Sequence, residues 1–352
     1  MTQAKLVFIF INHKLTINHA IECIVLNWQD YMQPQIAVCI VSYQRAPLTE
    51  RCIESVRATT TQPYRIFLAD NGSPDAATLA LLDRLEPASD IELFRLDRNF
   101  GPAIARNIIL ARLPEEFRYV AMLDNDIVAL PDWDFAALRA LKSGADLIQP
   151  KLLEWDGRTL ERGPNRPNHS PLAANPEFIG RGRPADHPEV NREEEAAIVG
   201  GTAIVKREVF ERIGLLDDRL HIAEDFDLSF RARAAGFTLR YVPDCALIHD
   251  HGFDFAYDQE RSRTEKYLVA HVVFWRRWRK ALLSPAYLAW YGWLHRHNEP
   301  MYLPPDQRWR IAHRRLRRRM VRKWCMTRHA NVWNSAEAAD QATETLARYL
   351  GL

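Results

Sequence analysis

The chain has few cysteines for its 352 residues, and the five it has are scattered: Cys23, Cys39, Cys52, Cys245 and Cys325. None forms a Cys-x-x-Cys pair or zinc-like spacing. An odd, dispersed set fits reduced thiols of a cytoplasmic protein better than a disulfide framework. Long apolar runs are also missing. Residues 6–26 are interrupted by Asn12, His13, Lys14, Asn18, His19 and Glu22, whereas a spanning helix needs about 20 mostly apolar residues. No small-residue cleavage site follows, so a secretory leader is not expected. The stretch 1–34 reads as an N-terminal extension, because regular patterning starts near Gln35. Internal repeats are absent, and so is a Gly-rich loop after the first strand.

What is present is apolar and well patterned. Hydrophobic residues make up 47% of the chain, enough for a substantial core. The net charge of +2 conceals an asymmetry. From Arg261 to Ala330 there are 18 Lys/Arg against 3 acidic residues, which leaves the rest of the chain at −13. This basic segment mixes Trp275, Trp278, Trp290 and Trp293 with arginines. Basic residues with interleaved aromatics fit an anionic membrane surface or a solvated face whose tryptophans pack on a core. No nucleic-acid partner is expected.

Strand-like and helix-like segments alternate. QIAVCIVSY (35–43) is a short β-branched run typical of a buried parallel strand, and Pro47 opens a helical pattern. YRIFLADNGS (64–73) repeats the strand-to-turn theme. Residues 75–86 read as a helix and 91–96 as a strand. A helix start at NFGPAIARN and a strand at FRYVAMLDND (117–126) follow. This rhythm predicts an α/β fold with an open, mostly parallel sheet flanked by helices. Residues 155–195 read as a long irregular segment. AAIVGGTAIVKREVFERIG (196–214) predicts a strand leading into a helix, HIAEDFDLSFRARAAGF (221–237) an acidic turn and helix, and TLRYVPDCALIHDHG (238–252) one or two short strands.

Open parallel sheets bind ligands beyond the carboxyl ends of their strands. Polar clusters fall at three such ends: Ser42-Tyr43, Asp70-Asn71 and Asp124-Asn125-Asp126. Asp124 and Asp126, together with a diphosphate, can supply the oxygen ligands that Mg²⁺ or Mn²⁺ prefers, while Asp-x-Asp also arises by chance in turns. Asp70 is placed to accept the N3–H of a pyrimidine base. Uracil and thymine carry that N–H and cytosine does not, which favours a UDP- or dTDP-sugar. The same Asp-Asn-Gly-Ser also reads as an ordinary turn. Arg106, one turn into its helix, reaches a base or phosphate, or only marks the helix start. Glu224-Asp225 at a helix start is either a cap or a general base, with Asp227 in reserve. His249 and His251 each read alone as structural residues, but beside an Asp-x-Asp site one of them can complete a metal shell.

Taken in order, VSY, ADNGS, NFGPAIARN, LDND, VGGTAIVKREVFERIG and EDFDLSFRARAAGF…VPDCALIHDHG resemble glycosyltransferase family 2, over roughly residues 35–255. The last block is most similar to its rhamnosyltransferase-like and galactofuranosyltransferase-like branches. The resemblance implies a GT-A fold and inversion at the anomeric carbon. It implies that Asp124 and Asp126 organise metal and donor, that His249 is a metal ligand and that Asp225 deprotonates the acceptor. Ser42, Tyr43, Asp70, Asn71, Arg106, Asp124 and Gly201 then form the donor-binding set. The Gln-x-x-Arg-Trp motif of the processive synthases is missing, since Arg276-Arg277-Trp278 lacks the Gln. A single-addition enzyme is therefore expected, acting on a hydroxyl acceptor such as a lipid-linked saccharide in cell-surface glycan assembly. It would be cytoplasmic and peripheral on the inner face of the membrane. Residues 256–352 form a basic, mainly helical C-terminal region. Two rivals remain open: a sugar-1-phosphate nucleotidyltransferase, and a non-catalytic carbohydrate- or membrane-binding module.

Overall fold

The computed structural model describes residues 36–166, 177–250 and 265–282, with a few positions between 340 and 351. The N-terminal extension, His251 and most of the basic C-terminal region lie outside the described residues.

A ten-stranded sheet organises the chain. Its first half is the predicted α/β alternation: β1 (Ile36–Ser42), α1 (Ala46–Thr59), β2 (Tyr64–Asp70), α2 (Ala76–Leu85), β3 (Ile91–Arg95), α3 (Pro102–Leu110) and β4 (Tyr119–Asp124). β1 lies between β2 and β4, and β3 follows β2 at the sheet's end, all parallel. Every residue of β1 is buried, as a strand covered on both faces requires. Ile36, Val38 and Ile40 pack on one face with residues of α1, α2 and α4 (Trp133–Lys142). Ala37, Cys39 and Val41 point to the other, against α3, α5 (Arg207–Ile213) and α6 (Glu224–Ala234). Each such aliphatic side chain taken from water contributes about 1.5–3 kcal/mol.

The second half departs from simple alternation. β6 (Leu147–Leu153) and β12 (Leu239–His249) are parallel neighbours. Between β6 and β4 runs β11 (Ala203–Lys206), antiparallel to both. The sequence expected a strand and helix within 196–214. The strand itself occupies only Ala203–Lys206, the last residues before α5, and ahead of it the Ala196 amide donates to Leu239 O of β12 at 2.9 Å. β12 is one long strand with a bulge, because its register on β6 jumps between Val242 and Ala246. Its far end pairs with β5 (Ile127–Ala129), which sets His249 opposite Ile127.

The stretch expected to be irregular carries short strands where it is described. β7 (Leu160–Arg162) adds antiparallel to β6, β8 (Asn165–Arg166) pairs with β9 (Glu177–Phe178), and β10 (Glu194–Glu195) joins β12. Glycine, proline and arginine hide these strands from a periodicity reading, since each is too short to alternate.

α7 (Glu265–Leu282) falls in the region expected to be a basic, mainly helical appendage, and it packs on α6. Phe274 and Trp275 are buried in one cluster with Phe226, and Trp278 packs against it. Phe230 meets Trp278 edge-on at 5.1 Å. Asp227, fully buried, accepts from Arg277 Nη1 (2.7 Å), Trp278 Nε1 (2.9 Å) and Arg231 Nε (2.7 Å). Trp275 and Trp278 are thus committed to this packing rather than free to meet a membrane. Trp290, Trp293 and the arginines of 314–319 lie outside the described residues. No helix among the described residues is long and apolar enough to cross a membrane.

Candidate active site

The three polar strand ends meet at one edge of the sheet. Ser42 closes β1 with its hydroxyl 2.9 Å from Thr49, and Thr49 in turn accepts from Asn125 Nδ2 at 2.9 Å. The end of β1 is therefore laced to the Asp124-Asn125-Asp126 turn. Tyr43 follows, half-buried. Next come Gln44 and Arg45, both with φ near +56°, a strained conformation for residues with a Cβ. This bend brings Arg45 Nη1 to 3.5 Å from Asp126 Oδ2.

Asp70 ends β2 and is buried. Its carboxylate accepts from the Ser73 amide (3.0 Å) and hydroxyl (2.5 Å), and the Ser73 hydroxyl oxygen accepts from Gln44 N at 2.7 Å. The turn reading of Asp70 is thus realised, and the turn holds the carboxyl at the site edge. Gly72 has φ +76°, and a Cβ there would lie 2.4 Å from the Arg98 backbone. Asn71 accepts from Phe100 N at 2.9 Å and donates to Asn99 at 3.0 Å, which fixes the approach to α3.

Arg106, on α3, is 2% exposed and bonds through both terminal nitrogens. Nη2 donates to Asp124 Oδ1 at 2.6 Å, and Nη1 donates to Glu224 Oε1 at 3.0 Å. Burial works against its charge, but Asp124, Glu224 and Asp225 more than compensate and raise its pKa. Gly201 lies against this pair. A Cβ there would sit 3.4 Å from Arg106 Nη2 and 3.8 Å from Asp124 Oδ2. The Gly200 amide is anchored to buried Gln149 at 2.7 Å, so the glycine pair keeps the floor of the site open.

α6 starts without a side-chain cap, from Ala223 in the left-handed region at φ +65°. Glu224 is turned to Arg106, so plain capping is not its role. Asp225 is half-buried, and its Oδ1 accepts from Phe226 N at 2.9 Å. Burial raises its pKa above the ordinary aspartate value, against the opposing pull of Arg162 and Arg106. Asp227 faces α7, away from this arrangement. Between the approach to α3 and the segment before α6, an open cavity of about 570 Å³ is lined by Asn99, Phe100, Asp218, Arg219, His221 and Val269 among others.

At the centre, Asp124, Asp126 and His249 each offer a ligand atom, all within 4.8 Å of one another. His249 is 4% exposed. Its Nε2 lies 3.2 Å from Asp126 Oδ1, and its Nδ1 lies 2.9 Å from Glu161 Oε2. Burial disfavours the imidazolium, yet Glu161 and Asp126 outweigh it and hold the pKa at about 9. Two carboxylates and one imidazole converging at the strand ends fit a divalent cation of the Mg²⁺ or Mn²⁺ kind. His249 is brought to this cluster, and His251 lies outside the described residues. Glu161, Arg162, Arg45 and the strut role of Glu224 carried no signal in the sequence. Their partners lie far away along the chain, and neither Leu-Glu-Arg nor Gln-Arg is a motif.

The paired carboxylates, the histidine and the helix-borne aspartate stand beyond the strand ends, where open α/β sheets bind their ligands. The sequence profile described as glycosyl transferase family 2 matches residues 37–214, and that of glycosyl transferase family group 2 matches residues 186–325. The chain belongs to glycosyl transferase family 2.

Its relatives include the uncharacterized protein y4gI of Sinorhizobium fredii, 24% identical over 74% of this chain and 29% of that protein. The pre-mycofactocin glycosyltransferase of Mycobacterium tuberculosis is 29% identical over 55% of this chain and 39% of that protein. The N-acetylglucosaminyl-diphospho-decaprenol L-rhamnosyltransferase of the same organism is 27% identical over 62% of this chain and 76% of that protein. The chain thus spans well under half the length of the first two. Among solved structures, GalNAc-T7 with UDP, GalNAc and Mn²⁺ superposes with a TM-score of 0.51 at 19% identity, covering 62% of this chain and 44% of that one. That likeness confirms the GT-A fold expected from the sequence.

Proposed function

We propose that the protein transfers a sugar from a UDP- or dTDP-sugar to a hydroxyl acceptor, with inversion and with Mg²⁺ or Mn²⁺ at Asp124, Asp126 and His249. The observation that carries this reading is the convergence of those three ligands at the strand ends, with Asp225 standing on the neighbouring helix. A rhamnosyltransferase acting on a decaprenol diphosphate saccharide is among the relatives, and this supports a lipid-linked acceptor in cell-surface glycan assembly. GalNAc-T7 holds UDP and Mn²⁺, which supports both the nucleotide class and the metal.

Each of the chain's own groups has a task in this reaction. Ser42, Tyr43, Asp70 and Asn71 line the nucleotide side, where the Asp70 carboxylate accepts the pyrimidine N3–H. Gly201 leaves room for the donor beside Asp124. Arg106 holds Asp124 and Glu224 in register, so that the metal-side carboxylate and the base helix keep a fixed separation. Asp225 takes the acceptor hydroxyl proton as its oxygen attacks the anomeric carbon from the face opposite the leaving diphosphate. The bound cation supplies charge neutralisation for that leaving group. The cavity beside His221 and Phe100 is the acceptor's approach.

Calorimetric titration with UDP, dTDP and CDP, with and without Mn²⁺, tests the nucleotide assignment. UDP or dTDP should bind in the presence of Mn²⁺ and lose most of that affinity in EDTA. A preference for CDP, or indifference to the metal, would overturn the reading.

A further inference from the structure

His249 is held from both sides. One ring nitrogen faces Asp126, and the other lies 2.9 Å from Glu161 Oε2. Glu161 is 1% exposed, an unusual position for a glutamate. Its second oxygen accepts from Arg162 Nε at 3.0 Å, so the carboxylate is pinned at both ends. The backbone explains how it gets there. On β6, Leu152 pairs with Arg162 and the next residue, Leu153, pairs with Leu160. Glu161 is therefore the extra residue of a β-bulge, a device that re-aims a side chain and is common beside active sites. Without the bulge β7 would continue its alternation, and the carboxylate would have no reason to face the end of β12.

We propose that Glu161 is a positioning residue for the metal centre. It accepts the Nδ1–H of His249 and fixes the tautomer that leaves the Nε2 lone pair facing Asp124 and Asp126. A ligating histidine whose other nitrogen is held by a carboxylate is better oriented and more basic, and loss of such a partner typically weakens metal affinity by about 10–100-fold. Glu161 does not belong to the cluster of ligand atoms itself, so its effect passes through His249. This inference rests on the metal reading above.

The test is a Mn²⁺ titration followed by electron paramagnetic resonance, with no sugar donor present. The proteins are the wild type, Glu161→Gln, Glu161→Ala, His249→Ala and Glu161→Gln/His249→Ala. Glu161→Ala should weaken Mn²⁺ binding by about 10–100-fold, and the isosteric Glu161→Gln should fall between it and the wild type. In the His249→Ala background, removing Glu161 should cost no further affinity, because there is no imidazole left to orient. Equal Mn²⁺ affinity in wild type and Glu161→Gln would overturn the proposal, and so would an undiminished loss when His249 is absent. Should Glu161→Ala fail to fold, Glu161→Gln carries the comparison. A wild type that binds no Mn²⁺ defeats the metal reading itself, an outcome distinct from a wild type that binds it with or without Glu161.

Discussion

Arg106 reaches Asp124 with one terminal nitrogen at 2.6 Å and Glu224 with the other at 3.0 Å. One buried guanidinium thereby joins the strand that ends in Asp124 to the helix that carries Asp225. A planar fork suits this task, and an ammonium does not. Arg106→Met would leave Glu224 buried without its counter-charge, and breaking a buried pair costs about 3–5 kcal/mol. Urea denaturation should register a loss of at least about 2 kcal/mol, allowing for the partial exposure of Asp124. Unchanged stability would mean that Arg106 is not the strut.

Asp126→Ala removes one of the three converging ligands. The thermal stabilisation of wild type by Mn²⁺ should vanish in this variant, and transfer should fall to background. In EDTA the wild type should behave like the variant. Full turnover in EDTA is the outcome that sinks the metal assignment.

Asp225→Asn should bind UDP with Mn²⁺ nearly as well as wild type, while transfer drops by about 10²–10⁴, the usual worth of a general base. The sign of the pH effect follows from its environment. Burial raises the Asp225 pKa, so the base form is lost as pH falls through a value above that of an ordinary aspartate. The acidic limb of kcat/KM should lie correspondingly high. Arg162 opposes that rise, so Arg162→Met should move the limb to still higher pH. A limb that stays in place in Arg162→Met would assign the base elsewhere.

The metal-free protein should lose stability as pH rises. His249 has a folded-state pKa of about 9, above the ordinary 6.5. A raised histidine pKa contributes stability that is complete below the unfolded value and disappears as pH passes through the folded one. Melting curves in EDTA should therefore decline between about pH 6.5 and 9. Saturating Mn²⁺ should flatten that decline, and its binding at neutral pH should release a proton. Buffer-dependent calorimetric heats would count it.

The contact of α7 with α6 is expected to be structural. Asp227→Ala removes the shared acceptor of Arg231, Arg277 and Trp278 and leaves their donors inside the interface. A loss of about 3 kcal/mol is expected, against about 1 kcal/mol for Trp278→Phe, which removes one hydrogen bond. Near-neutral Asp227→Ala would show that α7 is not held through this residue.

Much of the site was legible because its signals are local. A β-branched run with a polar end, such as Ile36–Ser42 or Tyr119–Asp124, reports both a buried strand and the place where its polar end residues emerge. The Asp124-Asn125-Asp126 turn and Glu224-Asp225 could be read this way, and so could Gly101-Pro102 opening α3. The antiparallel insertion of β11 could not, because a four-residue strand looks the same in either direction. Nor could the fate of Trp275 and Trp278: a tryptophan among arginines reads alike on a membrane face and on a helix packed against Phe226 and Asp227.

The sequence by itself determined the strands, their order along the first half, and which carboxylates stand at their ends, since each depends on neighbours only a few residues away. Tertiary structure alone decided which of those groups meet. Glu161 and His249 are 88 residues apart, and Arg106 and Glu224 are 118 apart. Those pairings come from β7 bulging on β6, from β12 running past β5, and from α6 starting under α3. Burial then supplies the chemistry: in a poorly solvated pocket Glu161 and Asp126, which water would otherwise screen, draw His249 up to about 9.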